Sequence, residues 1–201
     1  ELGGKVVAIA GPDGYIYDPD GAVTDEKINY LLEMRASGRD KVQDYADKFG
    51  CEFHAGEKPW GLGADKVDIM MPCATQNDVN MDSAKKIAAS GIKYYIEVAN
   101  MPTTNDALEF LKEQKHMVIA PSKAVNACGV AVSALEMAQN AERLYWTAEE
   151  VDAKMHQIMA NIYHSSVAAA ERYGLGYDLV AGANIVGFQR VADAMMAQGI
   201  F

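Results

Sequence analysis

The chain has 201 residues, half of them hydrophobic, with 28 acidic against 18 basic side chains and a formal charge of -10. That balance argues against nucleic acid and against an anionic membrane surface, because phosphate binding needs clustered Lys and Arg. Three scattered cysteines, Cys51, Cys73 and Cys128, do not make a disulfide framework and suggest reduced thiols and a cytoplasmic setting. No apolar run approaches the ~20 residues of a membrane span, and the N-terminus lacks the features of a signal peptide.

Val6 to Ala10 is a short apolar run ended by Gly11-Pro12-Asp13-Gly14, which predicts a strand buried on both faces of a parallel sheet. Tyr15 to Gly21 reads as loop. Thr24 is placed to cap a helix whose first turn holds Asp25 and Glu26. Val23 and Ile28 occupy staple positions, and Ile28, Leu31 and Leu32 form the expected buried stripe. A second helix spans about Lys41 to Phe49, ending at Gly50. Cys51 to His54 predicts a short edge strand, and Val67 to Met71 a better one that stops at Pro72.

After Ala74-Thr75-Gln76-Asn77 a helix runs to about Ser90, with Gly91 as its cap. Lys93 to Val98 predicts a strand, Thr103 or Thr104 caps the next helix, and Met117 to Ala120 predicts another strand ending at Pro121. The remainder is helical. Thr147-Ala148-Glu149-Glu150 is a capping box, with Trp146 and Val151 as its staple, and a last helix covers about Ala183 to Gln198. Alternating strands and helices predict an α/β, Rossmann-like, doubly wound and mostly parallel sheet with added C-terminal helices from about residue 147, all one domain. Ligands of such sheets sit beyond the strands' carboxyl ends, which singles out residues 11–14, 73–77, 99–102 and 121–126.

The turn that usually holds a dinucleotide's phosphates, strand then Gly-x-Gly-x-x-Gly then helix, is absent. Gly61-Leu62-Gly63 precedes a strand, and Gly174-Leu175-Gly176 lies between helices, where glycines normally terminate them. Asp13 has two readings: an acid for the adenosine ribose after a second strand, with Leu2-Gly3-Gly4 as the tail of a preceding helix, or simply a tight-turn residue. His54, His116, His156 and His164 lack metal-ligand spacing. No metal site is expected.

Longer strings add context. Gly11 to Pro19, Lys41 to Ala46, Met71 to Asn77, Ile96 to Thr103, Pro121 to Ala127 and Ala181 to Phe188 together resemble hexameric bacterial glutamate dehydrogenase over essentially the whole chain. The resemblance implies the coenzyme-binding part of an enzyme that reversibly converts L-glutamate to 2-oxoglutarate and ammonium with a nicotinamide coenzyme. It also implies a hexamer and an upstream domain that supplies the catalytic lysine and aspartate, so no catalytic residue is assigned in this chain. Carried over residue by residue, Asp13 lies near the adenosine ribose, Ala74, Thr75 and Gln76 line the adenosine side, and Asn100 and Asn126 lie nearer the nicotinamide ribose. Ser133, with Val130 beside it, matches the serine at the substrate's side-chain carboxylate.

An acid and no base beside the ribose favours NAD, with NADP left open. Where the family has Asn-Ala-Gly-Gly-Val, this chain has Asn126-Ala127-Cys128-Gly129-Val130, and a side chain at 128 could crowd a close approach. The alternatives are a related leucine, phenylalanine or valine dehydrogenase, or a non-catalytic structural fragment whose missing central strand leaves two sheet edges unpaired.

Overall fold

The computed structural model describes residues 3–199, so Leu2 of the expected helix tail lies outside it. The chain divides into two compact units, Glu1–Val67 and Asp68–Phe201.

In the first unit, β1 (Ala8–Gly11), β2 (Gly14–Tyr17) and β3 (Glu52–Ala55) form an antiparallel sheet in that order. This corrects the sequence reading twice. The first strand is not buried on both faces, since Ala10 is exposed and Val7 to Ile9 are only half-buried. Nor is Tyr15 to Tyr17 a loop. Gly11 pairs with Gly14, so Pro12-Asp13 is a two-residue hairpin turn that returns the chain antiparallel. Gly14 has φ 147°, and a Cβ there would collide with the His54 carbonyl oxygen on β3, so only glycine fits. β1 lies at one edge of this sheet.

Helix α1 (Asp25–Ala36) starts where Thr24 accepts a hydrogen bond from the Lys27 amide, as its sequence predicts. Its buried face differs from the expected one. Ile28 is 43% and Leu32 61% exposed, and Val23 is exposed too, so no staple closes. Leu31 of the expected stripe does pack, together with Tyr30 and Met34, on a core of Ile16, Val42, Tyr45 and Ala46. The reach is set by α2 (Gln43–Phe49), whose aromatic residues Tyr45 and Phe49 take up Tyr30. Asp18 is buried in this core. It receives hydrogen bonds from the Lys27 ammonium at 2.6 Å and the Tyr45 hydroxyl at 2.8 Å. Burial alone would raise the Asp18 carboxyl, but these partners outweigh it and hold it below the ordinary range.

The second unit holds a parallel sheet of β4 (Ile69–Met70), β5 (Tyr94–Ile96) and β6 (Val118–Ala120) in sequence order. Helices α3 (Met81–Ser90) and α4 (Asn105–Lys112) make the two crossovers. Both cover the sheet with apolar faces: Ala84 and Ile87 of α3, and Ala107 and Leu111 of α4, are fully buried. Gly91 ends α3 with φ 74°, the left-handed cap expected of it. This βαβαβ run is a Rossmann-like α/β arrangement.

Four helices follow: α5 (Ser122–Val125), α6 (Ala127–Glu142), α7 (Ala148–Arg172) and α8 (Leu179–Gln198). The capping box of α7 is complete, with Thr147 and Glu150 exchanging side-chain and backbone bonds at 2.7 and 3.2 Å. Helix α8 begins four residues earlier than its sequence suggests, because the Asp178 carboxylate caps the Ala181 amide at 2.9 Å. Its Gly182 crosses α7 so closely that a Cβ would overlap the Ser166 carbonyl. Among the described residues no helix is long and apolar enough to cross a membrane.

Candidate functional site

The three parallel strands of the second unit all deliver their carboxyl ends into loops that are bonded to one another. Val98 and Ala99, just past β5, donate amides to the Pro72 carbonyl at 3.2 and 3.0 Å. The Asn77 amide reaches the Met101 carbonyl at 3.0 Å, and the Val79 amide reaches Pro102 at 2.9 Å. Asn77 and Met101 both take positive φ, 58° and 46°. Asparagine tolerates that region, whereas methionine does so at a cost of roughly 1–2 kcal/mol. The cross-loop bonds offset it.

A cleft of about 630 Å³ opens above these loops, lined by Ala74, Gln76, Val98, Ala99, Asn100, Asn126 and Val130. Five of the predicted site residues, and Ala99 of the predicted 99–102 loop, therefore face a single cavity, and Val98 joins them. Val98 is an apolar residue inside a string whose asparagine draws the eye, and nothing in its type marks it. Asn126, which joins α5 to α6, donates its Nδ2 to the Asn100 Oδ1 at 2.7 Å and to the Val98 carbonyl at 3.2 Å. Its own Oδ1 and the Asn100 amide nitrogen have no protein partner among the described residues. The pair thus offers one acceptor and one donor group to the cavity, a combination suited to sugar hydroxyls or a carboxamide.

The other predicted site residues fall elsewhere. Thr75 is exposed on the same loop as Ala74 and Gln76 but is not among the residues lining the cavity. Ser133 is exposed on α6 three residues past Val130, its hydroxyl turned back to the Gly129 carbonyl at 3.3 Å. Cys128 is half-buried in the first turn of that helix. Asp13 belongs to the first unit, in the β1–β2 turn, where its two carboxylate oxygens accept the Val42 and Gln43 amides at 3.1 and 3.0 Å. It therefore anchors the start of α2, a part its sequence context did not reveal. A carboxylate has about four acceptor positions, so two remain.

The sequence reading gave no role to two further polar residues. Glu97 is 3% exposed and its Oε2 accepts the Ser122 amide at 3.2 Å. Lys123, on α5, reaches Asn184 of α8 at 2.5 Å. Cys73, at the start of the loop after β4, points its thiol at the Met71 carbonyl, and burial pushes that thiol up rather than activating it. Among the described residues no glycine-rich turn leads from a strand into a helix, and no group of three His, Cys, Asp or Glu side chains could hold a metal ion.

Comparison with known proteins gives this geometry a lineage. The sequence model of the glutamate/leucine/phenylalanine/valine dehydrogenase family matches residues 1–199. The chain is 73% identical over 200 residues to an NAD-specific glutamate dehydrogenase of Clostridium symbiosum, covering all of this chain and 44% of that protein. It is 48% identical over 202 residues to an NADP-specific glutamate dehydrogenase of Escherichia coli, covering all of this chain and 43% of the relative. A solved glutamate dehydrogenase structure superposes with a TM-score of 0.94 at 73% identity over 99% of this chain and 44% of its own. One from Plasmodium falciparum gives 0.88 at 40% identity, over 98% and 42%. The chain thus spans less than half the length of these relatives, and it belongs to the glutamate/leucine/phenylalanine/valine dehydrogenase family.

Proposed function

We propose that this chain is the coenzyme-binding part of an enzyme that oxidatively deaminates L-glutamate to 2-oxoglutarate and ammonium, reversibly, with NAD. The observation that carries the reading is the cleft at the strand ends, where Asn126 holds Asn100 and both keep free hydrogen-bonding groups, in a chain 73% identical to an NAD-specific glutamate dehydrogenase.

In this reading the nicotinamide coenzyme supplies the hydride acceptor. Asn100 and Asn126 orient its nicotinamide ribose, and Ala74, Thr75 and Gln76 flank the adenosine. Asp13, the acid that the family likeness assigns to the adenosine ribose, suits an unmodified 2'-hydroxyl better than a 2'-phosphate, which supports NAD over NADP. Val130 and Ser133 lie toward the substrate's side-chain carboxylate. Proton handling falls to a lysine and an aspartate of an upstream domain, within a hexamer of the intact enzyme.

Steady-state assay of the intact protein tests the reading. Glutamate with NAD is expected to be the preferred pair, and a strong preference for leucine or for NADP would overturn the corresponding half of it.

A further inference from the structure

We infer that Glu97 is a positioning residue for this cleft: its buried carboxylate fixes Ser122 and so determines where Asn126 presents its amide. The inference rests on the coenzyme reading above. Glu97 stands one residue past β5, and its own amide donates to the Ala120 carbonyl at 3.0 Å, extending the pairing with β6. Its side chain thus starts from a backbone fixed by the sheet. At 3% exposure a carboxylate is costly to bury unless it is hydrogen-bonded, whereas an apolar residue would fit a sheet interior without that cost. The bond it makes is to Ser122, the first residue of α5, whose amide has no acceptor within its own helix turn.

Those contacts close a ring. Asn126 ends α5 by donating its backbone amide to the Ser122 carbonyl at 2.9 Å. Its side chain then returns to Val98 and Asn100, one and three residues past Glu97. The segment 122–126 is therefore held to the β5 exit at both ends, by Glu97 at its start and by Asn126 at its finish. Without the first tie, the second would have to hold the loop and present the cleft's donor and acceptor at once. The Lys123–Asn184 bond fastens the same segment outward to α8 but does not touch the β5 exit.

The test uses the intact protein, titrated with NADH and followed by nicotinamide fluorescence, alongside steady-state kinetics and thermal unfolding. Glu97→Ala removes the acceptor. Ser122→Pro removes the donor at a first-turn position that proline tolerates. Each is expected to weaken NADH binding about 10-fold, the scale of a lost hydrogen bond to a charged group, with the double variant no worse than either alone. Glu97→Gln keeps an accepting oxygen and is expected to restore affinity. KM for glutamate should follow far less than KM for coenzyme. Tyr95→Phe is the control, because it removes from β5 the buried 2.8 Å bond between the Tyr95 and Thr103 hydroxyls. It should lower the unfolding midpoint and leave NADH affinity unchanged. If Glu97→Ala and Ser122→Pro only lower the midpoint while Asn126→Ala weakens NADH, Glu97 is structural and the inference fails. If Asn126→Ala also leaves NADH binding intact, the coenzyme reading of the cleft fails first and takes the inference with it.

Discussion

The Asn126–Asn100 bond is the point where single-residue chemistry and the proposed activity meet. Removing the Asn126 side chain deletes both its donor bonds and the acceptor it offers the cavity. Asn126→Ala is therefore expected to weaken NADH binding at least about 10-fold with little change in fold stability, read by fluorescence titration beside a thermal melt. Asp18 carries a different prediction. Its carboxyl is held below its unfolded-state value, so its ionised form stabilises the fold above the ordinary carboxyl range near pH 4. That contribution is lost as pH falls through the lowered value. Asp18→Asn should thus lower the unfolding midpoint at neutral pH and flatten its decline in acid; an unchanged acid limb would contradict the assignment. Residue identities announced the asparagines and the acids, but not whether a given acid is buried. Asp13 and Glu97 both turned out to hold helix-start amides, a role decided by residues 29 to 30 and 25 positions away.

At the scale of elements, local signals were reliable where the physics is local. Thr24 and Thr147 each start, and Gly50 and Gly91 each end, a helix where the sequence places a cap. Thr147→Ala should cost about 1 kcal/mol by denaturant unfolding, since it breaks one half of a complete capping box. The reading failed where a partner element decides. Alternation could not tell a lone apolar strand of a parallel sheet from the first arm of a hairpin, because Pro12-Asp13 serves either as a strand-end loop or as a two-residue reversal. The stripe of α1 kept Leu31 but took Tyr30 and Met34 in place of Ile28 and Leu32, because the aromatic rings of α2 lie on that side. The crossing of α7 and α8 offers a sharper test. Gly182→Ala forces the helices apart or the backbone to yield, and a loss of about 2 kcal/mol or more is expected. Wild-type stability in that variant would mean the helices do not cross so closely.

For the molecule as a whole, the alternation of strands and helices was enough to direct attention to the carboxyl ends of the parallel sheet, where a cleft opens, since that follows from topology rather than from any one residue. The contents of the first unit were less legible, because a small antiparallel sheet leaves no long periodic run. The 201-residue chain by itself is predicted to show no glutamate oxidation and no saturable NADH binding below about millimolar, because the residues proposed to move protons and the phosphate-holding turn are not among its described residues. Turnover by the isolated chain would place catalysis inside it and defeat the proposed division of labour. One consequence reaches beyond affinity. The two lips of the cleft are laced together through Asn77 and Met101 before any guest arrives. Such a mouth has little disorder left to surrender, so selectivity among nucleotides should track shape and charge alone, and amide hydrogens at Asn77 and Val79 should exchange slowly even in the empty protein.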